Sequence, residues 1–445
     1  MRVVLGLMLA SVTVAAFGAR WVWSCGRPPG EVAALCVAAV SDDKDDAGRA
    51  IKGLRELGPA GLAALMRTYD AAIQRHRANP AAPDAGWDRL AAALDGVAAQ
   101  KDAWAAGLYW YTDLDAAKRA AKAAGKPILS LRLLGTLDTE FSCANSRFFR
   151  TVLYPNADVA KALREGFVLH WQSHRPVPRL TIDFGDGRKI ERTITGNSVH
   201  YVLTPDGRVV DVIPGLYGPA AFLRQLTDGR DLAMRSGDAG FEDELRAYHA
   251  TRLVTLRRAW AEDLRRIGST TSVRTAAAGD GARPTAMAGT RVAVAKARAE
   301  TPAVAAAMTV ADRATLAAGT DDAAWAKIAL LHAADGRLDE ASRAVMRSKL
   351  AADAANRLTM SKMIVEDPLN RVVRNFERSV AEDTVRNEYL LHGRVHEWFA
   401  TGAVPARLDD LNERVYAQLF LMPRSDPWLG LVPADTYTGL PADRQ

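Results

Sequence analysis

The sequence predicts an α/β central domain, a mixed sheet with flanking helices, held between all-α N- and C-terminal regions. Three observations carry that expectation. Between residues 107 and 228 short apolar runs alternate with helix-period segments, the pattern of strands joined by helices. On either side those runs give way to helix signals punctuated by Pro and Gly. At 445 residues the chain is also too long for one compact core, so two or three domains are expected.

The elements follow in order. A helical N-terminal region spans 19–105, with helices over Asp42–Leu57 and Ala60–His76, the second opened by Pro59. Asn79-Pro80 and Pro83 break the chain before a third, Trp87–Gln100. The central domain spans 106–228. It begins with a strand over Leu108–Tyr111, and Thr112 with Asp115 caps a helix that Gly125 ends. The apolar run Pro127–Leu134 is the second strand. Helices over Arg147–Tyr154 and Asn156–Arg164 flank Pro155, and Phe167–Trp171 is the third strand. Arg179–Ile194 reads as a hairpin turned at Gly185-Asp186-Gly187, and Val199–Leu203 pairs with Val209–Ile213 around Pro205-Asp206-Gly207. A helix over Ala220–Leu226 closes the unit.

Beyond it, 229–266 is helical, with Phe241, Leu245, Tyr248 and Leu253 on its apolar face. The Ala/Thr/Gly/Arg-rich stretch 267–300 has few large apolar residues and reads as a flexible linker. A helical C-terminal domain, 301–445, follows with helices over Trp325–His332, Leu338–Leu358, Val372–Glu382 and Thr384–Ala400. Leu408, Leu411, Val415, Leu419 and Phe420 have core spacing, and the Pro/Gly-rich tail from Asp426 is irregular.

Composition excludes several functions. Apolar residues make up 49% and charged residues 25%, as in ordinary globular proteins. The net charge of +6 is spread along the chain without a basic, aromatic-interleaved run, so no nucleic-acid partner is expected. No P-loop, Gly-x-Gly-x-x-Gly after a strand, Gly-x-Ser-x-Gly or Cys-x-x-Cys-His is present, and no cofactor is expected.

The N-terminus reads as an export signal. Arg2 precedes the apolar run Val3–Phe17 and small residues at Gly18 and Ala19, so a signal peptide covers 1–18 and the protein is expected to be periplasmic or otherwise extracytoplasmic. The run is short for a membrane span, and Arg20 interrupts it. If uncleaved and continued through Trp21-Val22-Trp23, the segment would anchor the protein at a membrane. Three cysteines do not make a disulfide scaffold. Cys25 and Cys36 can pair in an oxidising compartment, although Cys36, inside an Ala-rich run, reads better as a buried small hydrophobe.

The chemistry-bearing stretch is Ser142-Cys143-Ala144-Asn145-Ser146, which follows the second strand and precedes a helix. A cysteine at a helix N-terminus meets free N–H groups and partial positive charge, which stabilise a thiolate. Asn145 and Ser146 are placed to hydrogen-bond that sulfur or a bound anion.

With Ala121-Lys122, Gly125-Lys126-Pro127, the strand Ile128–Leu134 and the Gly196-Asn197-Ser198-Val199 turn, the section 107–228 resembles the thioredoxin-like superfamily, its exported members above all. The resemblance covers about a quarter of the chain. It implies that Cys143 stands at the attacking cysteine and Ser146 at the resolving one, a Cys-x-x-Ser in place of Cys-x-x-Cys. It also places Asn197 and Ser198 where the family's substrate-docking turn carries its cis-proline. Three departures follow: Phe141-Ser142 replaces the family Trp, Ser146 lacks a sulfur, and Ser198 is not proline. A cis bond before a non-proline residue costs about 3 kcal/mol, so the turn is expected to be trans.

Without the second thiol, a mixed disulfide on Cys143 waits for an external thiol and forgoes an effective molarity of about 10⁵ M or more. The expectation is an exported module that lacks dithiol redox activity and serves protein–protein interaction or assembly. The alternative is monothiol exchange or redox sensing through Cys143.

Other candidates are weaker. Glu388, His392 and His396 stand at i, i+4 and i+8, a spacing that can hold a metal. The sequence is not His-Glu-x-x-His, and a hydrogen-bonded structural pair, with no metal, is expected. His170 and His174 flank Trp171 near a strand end and the turn Arg175-Pro176, where surface or turn positions are expected and the alternative is that they line the same face as Cys143.

Overall fold

A computed structural model describes residues 27–79, 86–193, 196–268, 316–317, 319–355 and 366–429. The expected signal segment 1–18, Cys25, residues 269–300 of the expected linker and the tail from 430 lie outside the described residues.

Five N-terminal helices come first: α1 Pro29–Ala38, α2 Lys44–Glu56, α3 Pro59–Thr68, α4 Asp70–Ala78 and α5 Trp87–Ala98. Asp43 caps α2 by accepting from the N–H groups of Asp45 and Asp46. The helix expected over Ala60–His76 is two helices, since Tyr69 leaves the helical region between α3 and α4. These helices share a small core with Leu54, Leu65, Leu94 and the buried thiol of Cys36. Burial pushes that thiol up.

A short helix α6 (Ala103–Ala106) leads to β1 (Trp110–Tyr111), α7 (Leu114–Ala124) and β2 (Ile128–Leu134). Asp113 rather than Thr112 caps α7, and Gly125 ends it in the left-handed region. Next come α8 (Ala144–Phe148), a π-helical turn Phe149–Leu153, α9 (Ala157–Gly166) and β3 (Val168–Arg175). Strands β4 (Arg179–Asp183) and β5 (Lys189–Thr193) form a hairpin of their own. Strands β6 (Ser198–Leu203) and β7 (Val209–Pro214) and helix α10 (Pro219–Met234) complete the unit.

The main sheet is mixed, with strand order β1-β3-β2-β6-β7. β1, β3 and β2 run parallel, whereas β6 pairs antiparallel with both β2 and β7. β2, β6 and β7 are buried along their whole length, which is why they read as mostly apolar runs rather than alternating ones. Leu133 lies opposite Ser198, a register that brings the turn before β6 to the C-terminal end of β2.

The later helices are α11 (Phe241–Arg266), α12 (Asp322–Leu331), α13 (Glu340–Ala355), α14 (Glu366–Arg386), a second π-helical stretch Asn387–His392, α15 (Gly393–Ala400) and α16 (Leu408–Gln418). One apolar cluster runs from the sheet into these helices and takes in Trp260, Trp398, Leu411, Val415 and Phe420. Residues expected to form two helices, Val372–Glu382 and Thr384–Ala400, lie in one continuous rod through the π-helical stretch. Among the described residues no helix is long and apolar enough to cross a membrane.

Candidate functional site

The site is built where β2 ends. The chain leaves the sheet at Gly135, loops, and returns so that Gly135 bridges Ser142 and the Cys143 N–H donates to Leu134 O at 3.1 Å. Gly135 has φ +76°, and a Cβ there would stand 2.8 Å from Phe141 O, so the loop closes only around glycine. Cys143 then caps α8, accepting from the Ser146 N–H at 3.5 Å.

All five residues singled out from the sequence converge here. Cys143 Sγ lies 3.2 Å from Ser146 Oγ and 2.9 Å from Ser198 Oγ. Asn145 Nδ2 donates to Asn197 Oδ1 at 3.2 Å, tying the helix start to the turn before β6. The Asn197–Ser198 peptide is trans.

Ser146 Oγ donates to the Cys143 carbonyl at 2.9 Å. The S–H donates to the Asn197 carbonyl at 3.9 Å, and the Ser146 and Ser198 hydroxyls close on the sulfur from its other sides. Gly196, at φ +122°, packs directly behind: a Cβ there would stand 2.4 Å from Cys143 Cβ. Arg147 is the nearest guanidinium in sequence, and it is bound to Ser142 O at 3.0 Å and to Thr193 Oγ1. Burial lowers its pKa.

The sulfur is sealed. Cys143, Ser146 and Ser198 are each 0% exposed, and Asn145 and Asn197 are buried too. Helix α16 covers the turn before β6: Tyr416 Oη donates to Asn197 O at 2.9 Å, and Tyr201 Oη donates to Asn412 Oδ1 at 3.0 Å. Burial raises the Tyr416 phenol well above its ordinary range, so it remains a donor.

His174 belongs to this cover. Its ring stacks on Tyr416 at 3.9 Å, and its Nδ1 meets Asn412 Nδ2 at 3.0 Å. Burial pushes its pKa down to about 4, so the neutral ring accepts that bond. His170 is fully buried in the sheet against Ser130 Oγ at 2.8 Å. Neither histidine takes the surface or turn position expected of it, because β3 continues past Trp171 to Arg175. Nothing in the sequence marks Tyr416 or Asn412, and Gly196 stands there only as the first residue of the turn before β6. A lone glycine before a strand was the only available sign of the close approach at 196.

The Glu388–His392–His396 face is also rearranged. Glu388 accepts from Gln225 Nε2 at 3.2 Å, and the carboxylate that meets His392 is Asp211 of β7, its Oδ1 3.0 Å from Nε2. The i, i+4, i+8 count assumed α-helical spacing, and the π-helical stretch Asn387–His392 changes it. The histidines stack on one another instead of hydrogen-bonding, with ring centroids 4.1 Å apart. One sign of Asp211 was present in the sequence: a single acid inside the apolar run Val209-Val210-Asp211-Val212-Ile213.

Compared with family models, curated proteins and solved structures, the chain matches none of them.

Proposed function

We propose that this chain is an exported, thioredoxin-like module that has given up thiol chemistry and serves as a protein interaction or assembly unit. One observation carries the reading: the sulfur at the end of β2 is fully buried, capped by two hydroxyls and closed over by α16 of the same chain. A sulfur that attacks disulfides or peroxides must meet them, and this one faces Ser146, Ser198 and Gly196 instead. The sheet order, with three parallel strands followed by two antiparallel ones and Cys143 at the β2 end, supports the family likeness.

A protein partner is supported by the β4–β5 hairpin. It is separate from the main sheet, and Ile182, Phe184 and Ile190 are exposed on it. A lone two-stranded hairpin is marginal in water, and exposed apolar side chains on one suit contact with another chain. Its base is fixed to the Cys143 loop, where Thr193 Oγ1 donates to Ser142 O at 2.9 Å and Arg179 lies over the Phe141 ring.

Peptide-resolved alkylation of the folded protein across pH tests the reading. Cys143 is expected to react only after denaturation. Rapid labelling of native protein near pH 6 would replace this reading with monothiol exchange or redox sensing.

A further inference from the structure

The second buried constellation sits on the edge strand of the sheet. Asp211 on β7, His392 at the end of the π-helical stretch and His396 on α15 are each 0% exposed, and one ligand atom from each lies within 4.8 Å of the others.

Hydrogen bonding fixes what these groups offer. His249 Nε2 faces the Val210 carbonyl at 2.9 Å, and a carbonyl only accepts, so this nitrogen carries the hydrogen. A ring that carries its one hydrogen on Nε2 presents a lone pair at Nδ1. His249 Nδ1 is then a lone pair and accepts from His396 Nδ1–H at 2.7 Å. His396 Nε2 is left as a bare lone pair, fully buried and without a hydrogen-bond partner. Beside it, His392 Nε2 bonds Asp211 Oδ1, while His392 Nδ1 and Asp211 Oδ2 are buried and likewise unpartnered.

Leaving a buried polar atom unpaired costs about 1–3 kcal/mol each, and here three occur in one cluster. We infer that Asp211, His392 and His396 form a buried three-ligand site for one divalent cation of the zinc class, which joins β7 to the C-terminal helices. Two imidazoles and one carboxylate are a donor set such cations take. At bond lengths of about 2.1 Å, tetrahedral ligands stand about 3.4 Å apart, so the atoms close by no more than about 1.4 Å. His249 is the positioning residue: by accepting from His396 Nδ1 it aims the other nitrogen at the ion. The π-helical stretch widens the turn that presents His392, and such turns recur at functional sites. This site is independent of the Cys143 reading.

The test uses the full chain, stripped with chelator and titrated with Zn²⁺ and, in parallel, Co²⁺. One equivalent is expected to remain bound through gel filtration, with Co²⁺ absorption typical of nitrogen and oxygen ligands. Asp211→Asn and His396→Gln should each abolish retention, and His249→Ala should weaken affinity by about 10–100-fold. No saturable uptake by the wild-type protein would overturn the site. So would unchanged uptake in folded Asp211→Asn and His396→Gln variants. If those variants do not fold, the wild-type Co²⁺ spectrum decides: a sulfur-to-cobalt charge-transfer band would place the ion on a cysteine and reject the proposal.

Discussion

Tyr416 donates its phenol hydrogen to the carbonyl of Asn197 at 2.9 Å, across 219 residues of chain. The turn that presses Ser198 against the Cys143 sulfur is thereby held from outside by the last described helix. Tyr416→Phe removes the donor while keeping the stacked ring. It is expected to cost about 1–2 kcal/mol in urea unfolding and to speed native-state alkylation of Cys143. Unchanged alkylation would show that α16 is not what seals the sulfur.

Gly196 tests the same seam from within. Alanine there combines a strained φ with a Cβ 2.4 Å from Cys143 Cβ, contact that only backbone movement relieves. Gly196→Ala is expected to destabilise by about 1–3 kcal/mol. The control is Gly187→Ala, at the hairpin tip with open space around its Cβ position, where only the positive φ is unfavourable. A thermal melt in which both alanines behave alike would remove the steric argument.

Arg150 is a fully buried cation, its guanidinium 3.5 Å from Asp102 and 3.0 Å from Glu140. Lys349 of α13 reaches the same Asp102 at 2.7 Å, so the network joins the N-terminal helices, the loop after β2 and the C-terminal region. Arg150→Ala leaves Asp102 with one partner and opens a cavity, and is expected to cost about 3 kcal/mol. Combined with Asp102→Asn the loss should be less than the sum of the two, as coupled neighbours require. Additive losses in denaturant midpoints would mean the groups act separately.

His332 supplies a pH signature. Asp263 Oδ2 lies 2.7 Å from its Nε2 and Asp335 3.8 Å from its Nδ1, and these carboxylates raise its pKa to about 9. A raised imidazole stabilises the fold fully below its unfolded value of about 6.5, and the contribution fades as pH rises toward 9. Stability should therefore fall between about pH 6.5 and 9, and His332→Gln should flatten that part of the profile. Urea midpoints across this range, identical in slope for both proteins, would reject the assignment.

Much of the central unit is legible in the sequence because its signals are local. The runs at Ile128–Leu134, Val199–Leu203 and Val209–Ile213 are mostly apolar since both faces of those strands are buried. Gly125 marks a helix end because only the left-handed conformation fits there. Cys143, Asn145, Ser146, Asn197 and Ser198 come together through one strand register. What stayed hidden depends on distant partners. Nothing near Cys143 in sequence announces Tyr416 or Asn412, and nothing near His392 announces Asp211 or His249. The π-helical stretch Asn387–His392 lacks a Pro or Gly to mark it, so counting by four misassigned the carboxylate.

The cover over the β2 end is part of the same polypeptide, and this sets a handicap for any outside molecule seeking that spot. A tethered segment competes at an effective concentration on the order of millimolar, so a free competitor present at about one micromolar starts roughly a thousandfold behind. Cutting the chain between α15 and α16, at the turn near Gly402, would turn that permanent occupant into a dissociable peptide and make the handicap measurable.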